Sequence, residues 1–221
     1  MTSEPNLGEP NAGRFAEARA AMVDSQLRAE GIADPAVLAA MGAVPREDFV
    51  AEGLRPIAYS DRAIPLAAKR ALMPPAALGQ LIQALAPVPG DRVLVVGAGT
   101  GYSAAILTAM GVAVTALESD SALAAIARGQ GIAIADGPLA SGYPADAPYD
   151  FILIDGAVEE LPEAIIDQLA EGGRLAAALA EGGVTRLAVG TRTGKAFGMR
   201  IFADAAVSVV PGFFRASAFV F

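Results

Sequence analysis

The chain has 221 residues, 54% of them hydrophobic, which is enough apolar material for one α/β core and too little length for a second full domain. A formal net charge of −8 excludes an electrostatic grip on nucleic-acid phosphates, and the lack of cysteine and histidine excludes disulfides, thiolate nucleophiles, thiolate zinc sites and Ser-His-Asp catalysis. The chemistry left to the chain runs on carboxylates, hydroxyls and backbone, around a cofactor that carries its own activated group.

In chain order, residues 1–13 read as a loose tail and 14–221 as a single domain. The start has acids and prolines but no basic stretch leading into an apolar run, so it does not read as a secretory signal, and a cytoplasmic setting is expected. Two helices are predicted between Arg14 and Val44, the second with Asp34 as N-cap and Pro35 at its first position. The five prolines between Pro45 and Pro75 mark a functional loop region, after which Ala76–Ala86 returns to helical spacing.

Beyond Pro87-Val88-Pro89-Gly90, β-branched runs alternate with alanine-rich helical stretches, the pattern of βαβ units and a parallel sheet. Strands are predicted at Arg92–Val96, Ala113–Leu117, Ile132–Ala135, Phe151–Ile154 and Leu175–Leu179. Helices are predicted at Tyr102–Met110, at a brief Ser121–Arg128 and at Pro162–Ala170. Thr185–Gly190 and Gly198–Phe202 flank the polar turn Thr193-Gly194-Lys195, and with Ala216–Phe221 they are expected to finish the sheet with an antiparallel edge. Phe213, Phe214, Phe219 and Phe221 are expected to face the core. The uncharged stretch Val93–Leu117 is long enough for a membrane span, but three glycines in five positions make it strand, turn and helix.

That turn is Gly97-Ala98-Gly99-Thr100-Gly101, and it opens a helix at Tyr102. Glycines let the backbone approach a ligand, and a helix N-terminus offers free N–H groups. A dinucleotide fingerprint would place its third glycine at Tyr102; the G-x-G-x-G spacing here matches S-adenosylmethionine-dependent methyltransferases instead. Glu118 ends the next strand about 20 residues on, where an acid reaches ribose hydroxyls. Asp136-Gly137 follows the third strand, placing an acceptor for an adenine amine, and Asp155-Gly156 follows the fourth on the same sheet edge. The candidate cofactor contacts are therefore Gly97, Ala98, Gly99, Gly101, Tyr102, Glu118, Asp136, Gly137 and Asp155, with no metal expected.

From about Met22 to Leu187 the chain resembles the protein-L-isoaspartate O-methyltransferase family. The resemblance is carried by Met22-Val23-Asp24-Ser25-Gln26-Leu27-Arg28, by Val44-Pro45-Arg46-Glu47-Asp48-Phe49-Val50, by Ala58-Tyr59-Ser60-Asp61, by Pro89-Gly90-Asp91-Arg92-Val93-Leu94 into the glycine loop, and by Pro148-Tyr149-Asp150. It implies a Rossmann-like methyltransferase sheet with extra N-terminal helices, S-adenosylmethionine as cofactor and a protein or peptide carboxylate as acceptor.

Two departures bear on that implication. Where the family carries G-x-T-I-S-x-P, whose hydroxyls line the reacting site, this chain has Lys69-Arg70-Ala71-Leu72-Met73-Pro74-Pro75, with Ala71 and Met73 replacing threonine and serine. The acid usual two places before the first glycine, which helps hold the cofactor's amino end, is Val95. A methyltransferase whose isoaspartyl acceptor is lost or changed is expected, with Asp61 and Met73 at the substrate side and no assignable catalytic residue; the alternative is a non-catalytic cofactor-binding or regulatory protein on the same fold.

Overall fold

The computed structural model describes residues 10–67 and 70–215, with side chains from residue 13 onward. Helix α1, Pro10–Met22, begins inside the stretch predicted as tail and continues through a π turn at Val23–Leu27. Helix α2, Pro35–Ala43, starts as the sequence predicts, with the Asp34 carboxylate accepting from the N–H groups of Ala36 (2.8 Å) and Val37 (3.4 Å). The proline-rich region is not wholly irregular. It forms 3₁₀ turns at Arg46–Phe49 and Glu52–Ile57, then two short antiparallel strands, β1 (Ile64–Pro65) and β2 (Ala71–Leu72), before helix α3, Pro75–Leu85.

The remaining elements are β3 (Arg92–Val96), α4 (Tyr102–Ala109), β4 (Ala113–Glu118), α5 (Ser121–Gly129), β5 (Ile134–Asp136), β6 (Tyr149–Val158), α6 (Glu163–Ile166), β7 (Leu169–Glu181), β8 (Val184–Thr193) and β9 (Ala196–Asp204). They build one seven-stranded sheet in the order β5-β4-β3-β6-β7-β8-β9, parallel through β7 and antiparallel at β8 and β9. The order runs outward in both directions from β3 and β6. The crevice at their carboxyl ends is where such sheets collect ligands.

Both faces of the sheet are covered, so the central strands are apolar on both sides. Val93 and Val95 pack with the N-terminal helices, α3 and α4, whereas Leu94 and Val96 pack with Leu139, Ile165, Val210 and Phe213. The segment after β9 returns to the sheet: Ala157 N–H donates to the Ser208 carbonyl and Val210 N–H to the Ala157 carbonyl, both at 2.9 Å. Among the described residues no helix is long and apolar enough to cross a membrane.

Several expectations need correction. The helix predicted at Pro162–Ala170 is a single turn, because Gln168 leaves it and spans to Tyr143 N–H, the Ser141 carbonyl and the Ala164 carbonyl, each at 2.8 Å, and Leu169 then pairs with Tyr149. Strand β5 starts two residues late, since Ile132 N–H still bonds the Ala127 carbonyl at the end of α5. Phe213 is buried as expected, but Phe214 is 59% exposed. The predicted strand Ala216–Phe221, with Phe219 and Phe221, lies outside the described residues.

Candidate active site

The glycine loop hangs from the adjacent strand. Gly97 and Ala98 both donate to the Leu117 carbonyl, at 2.9 and 3.0 Å, and Gly101 N–H closes onto the Ala98 carbonyl at 2.9 Å. Gly97, Gly99 and Gly101 have φ of +76°, +60° and +97°, the left-handed region that side chains disfavour. Their surroundings separate their roles. A Cβ on Gly97 would stand 3.0 Å from Arg70 Nη2 and 3.2 Å from Val210, whereas one on Gly101 would meet Ile132 at 3.0 Å and Ala127 at 3.2 Å. Gly97 and Gly99 therefore face the sheet edge, and Gly101 lets α4 pack against the end of α5.

Glu118 is fully buried at the end of β4. Its carboxylate accepts from the N–H groups of Gly99 (2.7 Å), Ser119 (2.8 Å) and Asp120 (3.0 Å), so the loop and the strand end fix it in place. It is also ion-paired. Arg70 Nη1 donates to both carboxylate oxygens, at 3.0 and 2.9 Å, and Arg70 Nη2 donates to the Gly97 carbonyl at 2.5 Å. Arg70, just before β2, thus lays its guanidinium along the glycine loop. The sequence does not single out this residue, because the replaced hydroxyls draw attention to Ala71 and Met73; the available signal is the cation directly before Ala71.

The other two acids differ in kind. Asp136 lies opposite Glu118 in the β4/β5 register, is 66% exposed at its side chain and pairs with Arg128 at 2.5 Å; Gly137 N–H bonds the Glu118 carbonyl at 3.3 Å. Asp155 is buried and accepts from the Ser103 hydroxyl at 2.6 Å. Burial pushes its carboxyl up to about 6, against the Ser103 hydrogen bond and the charges of Arg70 and Arg46, which favour the anion. Val95 is in register with Leu153, so Asp155, two residues on, shares the sheet face of Val95 on the neighbouring strand.

Tyr102 turns its ring into the core, 5.4 Å from Phe49 and under the Arg46 guanidinium at 4.8 Å, so it offers the edge its helix-start backbone rather than its side chain. Arg46 donates to the carbonyls of Ala58 (2.7 Å) and Met73 (2.6 Å). Glu47 accepts from Tyr59 and from Arg19 (3.1 Å), and Arg19 Nε also donates to Tyr59 (2.8 Å), tying α1 to the proline-rich region. The residues of the Arg46-Glu47 and Tyr59 segments are therefore scaffold for the site.

At the substrate side, the structure does not bring Asp61 and Met73 together as lining residues. Asp61 is exposed, accepts from Ala76 N–H at 3.2 Å at the start of α3, and borders a cavity of about 330 Å³. Met73 is 2% exposed and packs in the core, and Ala71 is half-buried in β2 beside Arg70. A larger apolar cavity of about 540 Å³ lies beside the glycine loop between Phe49, Leu54, Leu66, Thr100, Leu123 and Ile126. Among the described residues no cluster of acids could hold a metal ion.

A glycine loop after the first central strand, a buried acid after the next, and a sheet ending in two antiparallel strands define the S-adenosylmethionine-dependent methyltransferase fold. Solved structures agree: a protein-L-isoaspartate O-methyltransferase superposes with a TM-score of 0.75 at 22% identity, over 88% of this chain and 66% of its own. A second, from Plasmodium falciparum in complex with S-adenosyl-L-homocysteine, gives 0.71 at 21% identity, over 86% and 97%. The family model for protein-L-isoaspartate(D-aspartate) O-methyltransferase matches residues 17–211, and the protein-L-isoaspartate O-methyltransferase of Methylorubrum extorquens is 44% identical over 214 residues, 94% of this chain and 92% of that one. The chain belongs to the protein-L-isoaspartate O-methyltransferase family, and the match extends past both ends of the stretch in which its sequence shows the resemblance.

Proposed function

We propose that this protein methylates a carboxylate acceptor with S-adenosylmethionine bound across the Gly97–Gly101 loop, and that its acceptor differs from an ordinary isoaspartyl residue. The observation that carries the first part is the Glu118 carboxylate, held by three backbone N–H groups within reach of Gly97 and Gly99, an acceptor pair suited to a ribose diol. Gly97 and Gly99 would supply the close backbone approach, Asp136 and Gly137 the adenine end, and Asp155 a negative charge for the amino end on the face where Val95 has none. When bound, the cofactor supplies a methyl group on a sulfonium centre, which a carboxylate oxygen takes without first losing a proton. A chain without histidine or cysteine can therefore serve by binding and orienting.

The second part rests on Ala71, half-buried beside Arg70, and on Met73, whose side chain packs into the core; neither offers the acceptor a hydroxyl. Methyl transfer to an isoaspartyl peptide, compared between the wild type and Ala71→Thr/Met73→Ser, tests it. We expect the double variant to gain about tenfold or more in kcat/KM, the worth of one regained hydrogen bond. Wild-type turnover that the restored hydroxyls leave unchanged would return the protein to conventional isoaspartyl methylation.

One observation favours a second reading, a non-catalytic protein on the same fold: the Arg70 guanidinium already satisfies Glu118. Calorimetric titration with S-adenosylmethionine and its demethylated product separates the two readings. No heat at millimolar ligand supports a non-catalytic protein that does not use the cofactor, whereas binding accompanied by methyl transfer to a carboxylate peptide supports the enzyme.

A further inference from the structure

We propose that Arg70 is a built-in competitor for the cofactor, whose guanidinium occupies the Glu118 carboxylate and the face of Gly97 that the cofactor needs, so that binding must displace it. The inference rests on the cofactor reading above and adds to it a residue that sets cofactor affinity from within the chain.

The geometry is specific. Arg70 is 5% exposed at its side chain and meets Glu118, itself 0% exposed, through both carboxylate oxygens. Its second terminal nitrogen lies 3.0 Å from the position a Gly97 Cβ would take and 3.9 Å from that of Gly99, the two glycines that open the loop to the sheet edge. A ribose diol and this guanidinium cannot both be first partners of one carboxylate whose remaining capacity is taken by Gly99, Ser119 and Asp120. The same three N–H groups keep Glu118 satisfied when Arg70 leaves, so displacement does not strand a bare buried carboxylate. Arg70 also comes from outside the sheet. Its backbone is held locally, with Arg70 N–H on the Ala67 carbonyl (2.8 Å) and Leu66 N–H on the Arg70 carbonyl (2.9 Å), so the side chain can swing away while β3 and β4 stay in place.

Two measurements test this on the full chain. Titration calorimetry with the demethylated product should show Arg70→Ala binding about tenfold or more tighter than wild type, because a charge-assisted pair no longer opposes the ligand. Arg70→Lys, which keeps the charge but loses the bidentate fork, should fall between them and carries the test if the alanine variant does not fold. Arg200→Ala, removing an exposed charge on β9, should bind as wild type does. In ¹⁵N spectra of wild type, the guanidinium N–H signals that vanish in Arg70→Lys should be slowly exchanging and should be lost on saturation with product. Equal or weaker binding by Arg70→Ala, or guanidinium signals that persist at saturation, overturns the competition while leaving the cofactor reading intact. No binding by either wild type or Arg70→Ala overturns both.

Discussion

At the scale of single residues, Asp155 is the group whose state should follow pH. Its folded carboxyl sits at about 6, above its ordinary 3.8, because burial penalises the anion more than Ser103, Arg70 and Arg46 favour it. A raised acid holds its proton longer in the folded state than in the unfolded one, so stability from this group is full below about 4 and falls as pH rises to about 6, by roughly 3 kcal/mol at most. Asp155→Asn keeps a partner for Ser103 and cannot ionise. Melting curves should therefore show the wild type losing stability relative to Asp155→Asn between about pH 4 and pH 6, with a constant gap above; parallel profiles would mean that Asp155 is not held as a neutral acid. Position was legible here and environment was not. The strand-end placement of Glu118 and Asp136 follows from counting along βαβ units, whereas the strand expected to stop before Asp155 runs on to Val158; the partners are Arg70, 48 residues from Glu118, and Ser103, 52 residues from Asp155. Periodicity contains no information about contacts of that range.

At the scale of elements, the same contrast follows the length of the repeating pattern. Strands β3 and β4 and helices α4 and α5 fall within a residue of where the sequence predicts them, because each carries a full period and a recognisable start, Gly101 for α4 and Asp120 for α5. Strands β1 and β2, two residues each, are too short for alternation to appear, and α6 is cut off by the distant bonds of Gln168. The sequence groups Gly101 with Gly97, Ala98, Gly99 and Tyr102 as cofactor contacts; in the structure Gly101 also stands against Ile132 and Ala127, so element packing bears on it as well. Two substitutions measure this. Gly101→Ala and Gly131→Ala both force alanine into positive φ, +97° and +79°, but only Gly101 has neighbours inside 4 Å, at Ile132 and Ala127. Gly131→Ala should cost about 1–2 kcal/mol from backbone strain alone, and Gly101→Ala about 1–3 kcal/mol more as α4 and α5 are pushed apart. Equal losses in denaturant titrations would place Gly101 among the purely conformational glycines.

At the scale of the whole molecule, the site is distributed over the centre of the sheet. The loop follows β3, Glu118 ends β4, Asp155 lies in β6 three residues before its end, and the segment after β9 closes behind them through Val210 against Gly97 and Gly156. A ligand that bridges these strand ends binds only when all are in register, so its binding energy belongs to global folding rather than to a local opening. At a hundred times its dissociation constant, S-adenosylmethionine should stabilise the fold by about 2.7 kcal/mol, and for a domain of this size that raises Tm by roughly 5–10 °C. The competition by Arg70 alters the concentration at which this shift is reached, not its size at a fixed ratio of ligand to dissociation constant. Arg70→Ala should start from a lower Tm, having lost a buried pair, and then rise at lower cofactor concentration than the wild type. A shift confined to a minor early transition would show instead that the strand ends do not act as one unit. A melt that cofactor leaves untouched at millimolar concentration, in both proteins, would leave the family fold in place and remove the ligand from it.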